Sequence, residues 1–318
     1  MVFGFVFRGG AAVSVNEQTL PRELARPHDW CWLHLALADH RTRKFLDDIA
    51  MPPAARAVMA MTEDRVQIHL TPDGAWGLLP DIERDFADHS LGAARYAFWS
   101  DATRLITTRR HPLRAVEGLR QDIEQEIETP SSPADTVIRL QEAFVAVVEQ
   151  RLQHLSGELG QAEDNVLADR IDIGQAALGP MRRELSRYAR EFAALSRAIH
   201  RATARKLVAS SPLAEHLPHL LQEVEDVERD AAGQSDRARL LNDEVENRLA
   251  ATTNRSLSAL TVISTLMLPP TFVAGAFGMN VGGIPWAQNG NGFWAVLGFC
   301  ILLIGASWIV LRRFRILP

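Results

Sequence analysis

The chain has 318 residues, 47% hydrophobic and 23% charged, with a formal net charge of -5. These averages fit a soluble protein of one or two domains. Residues 256–311, however, carry no Asp, Glu, Lys or Arg, which excludes a uniform globular composition.

Residues 1–255 hold 31 basic and 39 acidic side chains, a balance of -8 that favours cations over nucleic acid as partners. The two cysteines, Cys31 and Cys300, are too few and too far apart for a disulfide framework or a Cys-rich zinc site, so a reducing cytoplasm is the simpler setting. In residues 1–10 the only basic side chain follows the apolar run, and the segment does not read as a secretory signal.

Taken in chain order, short β-rich runs at 2–7, 30–37, 66–70, 75–79, 95–99 and 104–108 predict strands. Pro72-Asp73-Gly74 and Ser100-Asp101 supply turn signals between neighbouring strands. Helices are expected at 41–49, 54–61 and 113–127. Residues 1–131 therefore read as an α+β cytoplasmic domain, an α/β/α sandwich-like arrangement with helices over a mostly antiparallel or mixed sheet.

From Ser132 the pattern turns helical. Phe144, Val148, Leu152, Leu155, Leu159 and Ala162 recur at spacings of three and four, as do Met181, Leu185, Tyr188, Phe192, Leu195 and Ile199. Gly174 and Gly179-Pro180 between them predict the turn of an antiparallel pair. A third pattern runs through Leu220, Val224, Val227, Ala231, Ala238, Leu241, Val245 and Leu249 toward the uncharged region, with Gly233 its weak point. Uninterrupted from His219 to Phe277, such a helix is roughly 90 Å long at 1.5 Å per residue. Residues 132–255 are read as a cytoplasmic stalk or funnel.

Residues 257–277 and 293–311 are each close to the roughly 20 uncharged residues needed to span a bilayer, and define a transmembrane hairpin over 256–318 with an external loop at 278–292. Arg248, Arg255, Arg312, Arg313 and Arg315 flank the hairpin, while the loop has no Lys or Arg. Positive residues stay inside, so both termini are expected to be cytoplasmic in a multi-pass, bacterial-type inner membrane protein. Trp286 and Trp294 then fall near the outer interface and Trp308 near the inner one.

Within the first span, spacings of three and four align Asn254, Leu257, Thr261, Ser264, Leu268, Thr271 and Gly275. Most of this stripe is small or polar, and such residues prefer protein or water to lipid. Two spans per chain cannot enclose a pore, so a conducting stripe requires several copies around an axis. Tight helix packing is the other reading of the same pattern.

The span ends in Gly278-Met279-Asn280, preceded by Leu268-Pro269-Pro270-Thr271-Phe272-Val273-Ala274-Gly275. Here the sequence resembles the CorA-type divalent metal ion transporters, whose signature is Gly-Met-Asn at the outer end of the first of two C-terminal membrane helices. Val281-Gly282-Gly283-Ile284-Pro285, and Cys31-Trp32-Leu33-His34-Leu35 near the start, are similar to the zinc-transporting ZntB branch. The resemblance implies a funnel-shaped homopentamer that carries divalent cations. It also implies proton-linked movement of zinc, without a prosthetic group. Magnesium-transporting relatives usually carry an acidic residue just after the signature; residues 281–292 have none, which favours zinc over magnesium.

In such an assembly the Asn280 amides form a ring whose carbonyl oxygens can accept hydrogen bonds from the waters of a hydrated divalent ion, held in place by the Gly278 and Met279 backbone. Leu257 and Leu268 are suited to hydrophobic gating. Pro269 and Pro270 free carbonyls near Thr265 and Leu266, either for the ion path or simply by kinking the helix. The acidic tract Glu223, Glu225, Asp226, Glu228 and Asp230, with Asp243, Glu244 and Glu246, reads as a cation-attracting funnel or a solvated face.

His216, His219 and Glu223 offer metal ligands on one face if the helix is continuous through them, with Pro218 weakening that geometry. Cys31 and His34 point to opposite faces of a strand, which favours a core role for each. No nucleophile elbow, Walker loop or HExxH motif is present, so an enzyme is disfavoured. A CorA-like magnesium or cobalt channel and a non-conducting, membrane-anchored structural or regulatory protein are the alternatives.

Overall fold

The computed structural model describes residues 2–83, 93–204, 211–279 and 291–313. They divide into two compact units, Met1–Leu240 and Leu241–Pro318.

The first unit is built on a seven-stranded sheet of order β2-β1-β3-β7-β6-β5-β4. Its strands are β1 (Phe3–Arg8), β2 (Ala11–Val15), β3 (Trp30–Ala36), β4 (Gln67–Thr71), β5 (Gly74–Ile82), β6 (Ala93–Asp101) and β7 (Arg104–Arg109). Among the described strands only β3 and β7 pair in parallel, so the sheet is mixed, as expected. Strand β2 and the short helix α1 (Leu20–Leu24) extend the predicted set. The signal for β2 is Gly9-Gly10, with φ of 54° and 83°: two positive values in a two-residue loop form the hairpin turn that matches strand twist.

Period-two alternation sends opposite side chains to two helical layers. Leu35, Leu78, Ala97, Trp99 and Ile106 pack with Leu46, Ala55 and Met59 of α2 (His40–Asp48) and α3 (Pro53–Met59). Trp32, His34, Tyr96, Phe98 and Thr107 alternate onto the other face and are buried. On that face Gln141 of α5 (Pro133–Leu167) donates to Tyr96 Oη at 3.0 Å and to the Pro80 carbonyl at 3.2 Å. Gly77 stands where strands crowd: a Cβ there would lie 2.2 Å from the Gln67 carbonyl oxygen and 2.8 Å from the Phe98 ring.

Asp81 ties the sheet to α4 (Arg114–Glu124). Its carboxylate, 2% exposed, accepts from the N–H groups of Ile82 at 2.6 Å, Ala115 at 3.1 Å and Val116 at 3.4 Å. Burial is the largest influence and pushes its pKa up to about 7, against these hydrogen bonds. The folded state therefore holds the proton more tightly than the unfolded one. Its contribution to stability is greatest below the ordinary carboxylate range and declines as pH rises toward 7, by on the order of a few kcal/mol. Asp81→Asn is expected to flatten this slope in unfolding measured from pH 5 to 8; an unchanged slope would contradict the assignment.

Helices α5 and α6 (Ile171–Thr203) pack through Phe144 against Phe192, with ring centroids 5.2 Å apart, and through a bidentate Arg151–Glu184 pair at 2.8 Å. The predicted apolar positions on both helices are buried. The turn between them is not at Gly174 or Gly179-Pro180, which lie inside α6, but at 168–170. There Asp169 adopts φ 61°, with Arg170 N–H donating to Asn165 O at 2.8 Å and Asp169 N–H to Val166 O at 3.2 Å. This is Schellman chemistry with an Asp in place of the usual Gly. Pro180 costs the helix a backbone bond without ending it.

Helix α7 is continuous over 61 residues, Leu217–Phe277, through Gly233 and through Pro269-Pro270. In the first unit it packs by Leu220, Val224, Val227, Ala231 and Ala238. Ser186 and Ser235 hydroxyls meet at 3.0 Å, and Arg237 donates to Glu163 at 2.6 Å.

Candidate ion path in the membrane-length helices

Beyond Arg255, α7 and α8 (Gly292–Arg313) are both long and apolar enough to cross a membrane. None of the apolar window of α7 and 6% of that of α8 is buried within the chain. Leu268 at 73%, Phe272 at 78% and Ile309 at 66% exposure illustrate an apolar surface that water does not tolerate at this extent, and that lipid or further protein must cover.

One side of each helix is partly covered. On α7 the half-buried positions are Val262, Leu266, Pro269, Pro270 and Val273; on α8 they are Gly292, Val296, Cys300, Leu303, Ile304 and Ser307. The Cys300 thiol lies 4.0 Å from the Pro270 carbonyl, bringing the two sets together. This packing face escaped the sequence reading, although small Cys300 and Ser307 recurring at helical spacing on α8 are its signal. At 100° per residue the covered face of α7 lies roughly 160° from the centre of the stripe Asn254, Leu257, Thr261, Ser264, Leu268, Thr271 and Gly275. All seven stripe residues are exposed in the single chain.

The stripe's threonines satisfy their own donors. Thr261 donates to Leu257 O at 2.8 Å and Thr271 to Met267 O at 2.7 Å, while Thr265 beside the stripe donates to Thr261 O at 2.8 Å. Each hydroxyl oxygen keeps acceptor capacity toward a passing water.

The helix closes at Gly278, whose N–H reaches Ala274 O at 2.9 Å, followed by Met279 N–H to Ala276 O at 3.5 Å. A Cβ on Gly278 would stand 3.2 Å from Ala274 O, a fit tighter than most side chains tolerate. Asn280, the loop 281–290 and Trp286 lie outside the described residues, as does Arg315. Arg255, Arg312 and Arg313 are exposed at the other ends of the helices.

The expected His216, His219 and Glu223 triad does not form. Helix α7 begins at Leu217, which leaves His216 in the preceding turn, and Pro218 occupies the first helical turn, where a missing N–H costs little. His219 Nδ1 and Glu223 Oε1 pair at 3.4 Å. Among the described residues no group of three or more His, Cys, Asp or Glu is placed to hold a metal.

The acidic tract is mostly solvated and locally paired. Glu225 meets His200 at 2.9 Å, Asp226 pairs with Arg229, Asp230 accepts from Gln234 at 3.1 Å, and Glu244 pairs with Arg248 at 2.6 Å.

Cys31 and His34 take opposite faces of β3, as expected. Cys31 packs with Val6 and Val15, and burial raises its thiol to about 11. His34 Nδ1 lies 2.7 Å from Thr107 Oγ1, stacked on Phe3, and burial lowers its pKa to about 3, so the ring stays neutral.

An α+β domain continued by one long helix into two membrane-length apolar helices, the first bearing an uncovered polar stripe, describes a membrane-embedded transporter subunit. Comparison with known proteins gives the particular family. The family model described as "CorA-like Mg2+ transporter protein" matches residues 27–313, and the chain belongs to that family.

The divalent cation transporter CmaX of Pseudomonas aeruginosa is 27% identical, over 99% of this chain and 96% of its own length. A zinc transport protein ZntB of Pectobacterium atrosepticum is 26% identical over 89% and 86%. Among solved structures, full-length CmaX superposes with a TM-score of 0.80 at 23% identity, covering 99% of this chain and 97% of its own. The CorA magnesium transporter of Methanocaldococcus jannaschii gives 0.72 at 16% identity, covering 98% of each chain. As a member of this family the chain is a transporter of divalent cations.

Proposed function

We propose that the chain assembles as a homopentamer in a bacterial-type inner membrane, with both termini cytoplasmic. It carries zinc foremost among divalent cations along the stripes of five α7 helices. The observation that carries this reading is the stripe's position: the half-buried face of α7, where Cys300 of α8 meets Pro270, lies opposite it, leaving Asn254, Thr261, Ser264 and Thr271 for neighbouring copies and water.

At the outer mouth, Gly278 and Met279 hold a ring of Asn280 amides that accepts hydrogen bonds from the hydration shell of the entering ion. Asn254 and the hydroxyls continue the polar contacts inward, and Leu257 and Leu268 narrow the path between them. Zinc exchanges its waters more readily than magnesium, and a mouth without acidic residues selects less strongly for a tightly hydrated ion. Residues 256–311 contain no carboxylate or histidine. Any proton linkage therefore runs with the permeating ion or through the soluble region.

The test is uptake into liposomes bearing the purified chain, zinc against magnesium, with and without an imposed pH gradient. Zinc uptake that exceeds magnesium uptake and responds to the gradient is expected. Magnesium uptake equal to or above that of zinc, indifferent to pH, would make the chain a magnesium channel, the reading favoured by the family model's description.

A further inference from the structure

A cavity of about 450 Å³ opens between the outer edge of β4 and the C-terminal end of α6, remote in sequence from the ion path. Its volume falls in the range of small-molecule sites. Among the described residues strand β4 ends the sheet and pairs with β5 alone, so its outer edge faces this space.

Both faces of the β4 edge contribute to the lining, Gln67 and His69 from one and Ile68 and Leu70 from the other, together with Arg65 and Arg201. Arg65 and Arg201 are exposed, and neither takes part in an ion pair among the described residues. Two acids close by in sequence or on the same helix, Asp64 and Glu191, are both drawn to Arg95, at 2.8 and 3.1 Å. The Gln67 side-chain carbonyl oxygen lies 3.1 Å from His69 Nε2, which leaves the Gln67 amide N–H donors for other use. His69 stacks on Trp76, with ring centroids 5.3 Å apart and planes at 12°.

Further along α6, Arg183, Arg190 and Arg197 stand at multiples of seven residues, and Arg201 follows four on. All four project from the exposed face of the helix, opposite its buried Leu185, Phe192 and Ile199. At 1.5 Å per residue Arg183 and Arg190 lie roughly 27 and 17 Å along the helix from Arg201, beyond the screening length, so of the three it is Arg197 that adds to the charge beside the cavity.

From this juxtaposition we infer that the β4–α6 cavity is a binding site for a phosphate-bearing small molecule, with Arg65 and Arg201 as its two oxyanion clamps. Guanidinium forks match phosphate oxygens bidentately, and two of them on one cavity suit a ligand with more than one phosphate. Ile68 and Leu70 give the body of such a ligand an apolar place to rest. The site lies within the first unit, and its occupancy does not depend on which ion is carried.

The test is calorimetric titration of the full chain in detergent with ATP and, separately, with inorganic pyrophosphate, both without divalent cation. Arg65→Ala and Arg201→Ala are compared with the double variant Arg183→Ala/Arg190→Ala, which thins the row outside the cavity. Saturable binding that each cavity variant weakens by about tenfold or more is expected, with little change in the row variant. Comparable binding of both probes would assign recognition to the phosphates alone, and tighter binding of ATP would add the nucleoside; either supports the site. No saturable binding of either probe would overturn it. So would equal weakening by the row variant, the mark of a diffuse charge effect, or cavity variants that bind like the original chain with unchanged melting temperatures.

Discussion

Asn280→Ala is expected to reduce divalent cation flux by ~100-fold while leaving assembly and thermal stability unchanged. In the proposed pentamer, five amide carbonyls each lose a hydrogen bond to the ion's hydration shell. At about 1 kcal/mol per bond even half of that loss approaches two powers of ten in occupancy of the mouth. Asn280→Asp separates the amide's role from simple size. A ring of carboxylates binds divalent cations more tightly and releases them more slowly, so apparent affinity should rise as maximal flux falls. Full flux through an intact Asn280→Ala assembly would remove the ring from the mechanism.

Ser264→Phe is the second large effect. Ser264 is exposed at the middle of the stripe, and a ring placed there in every copy fills the path at one level. Flux should drop by at least about tenfold with the assembly intact, because a bulky apolar constriction dewets the path. Val262 is two residues away on the half-buried face. Val262→Ala should do the reverse, lowering thermal stability by about 1 kcal/mol through lost packing and leaving flux near its original level. A blocked Val262→Ala with a conducting Ser264→Phe would place the path on the other side of α7.

Much of this architecture was legible in the sequence because its signals are periodic and redundant. The apolar positions of α5 and α6, from Phe144 to Ile199, repeat over enough turns that their burial follows from spacing alone. The charge-free interval 256–311 announced the two membrane-length helices in the same way. What escaped depends on single residues or on contacts distant in sequence. Asp169 takes a left-handed conformation where Gly is the usual choice, so the α5–α6 turn falls before Gly174 and Pro180 rather than at them. Strand β2 is short and mostly exposed, and its residues carry little alternation; only Gly9-Gly10 betrays the hairpin.

The candidate site divides along the same line. The stripe on α7 is a matter of helical spacing and could be written down directly. Its separation from the α8 contact required knowing that Cys300 meets Pro270. The histidine triad failed for a local reason: helix α7 starts one residue too late to include His216. The Arg65–Arg201 cavity joins residues 136 positions apart, and no local pattern marks it.

The most direct test of the stripe as the ion path is a cysteine-accessibility scan of α7 in the reconstituted transporter. Cys300→Ser supplies the background, and Cys31 is silent because it is 2% exposed with its thiol pushed up to about 11. Single cysteines at positions 257 to 275 are exposed to a charged, membrane-impermeant thiol reagent, with and without zinc. Modification is expected at 257, 261, 264, 268 and 271, slowed by zinc, and none at 262, 266 and 273. Modification centred on 262, 266 and 273, or spread without helical period, would contradict it.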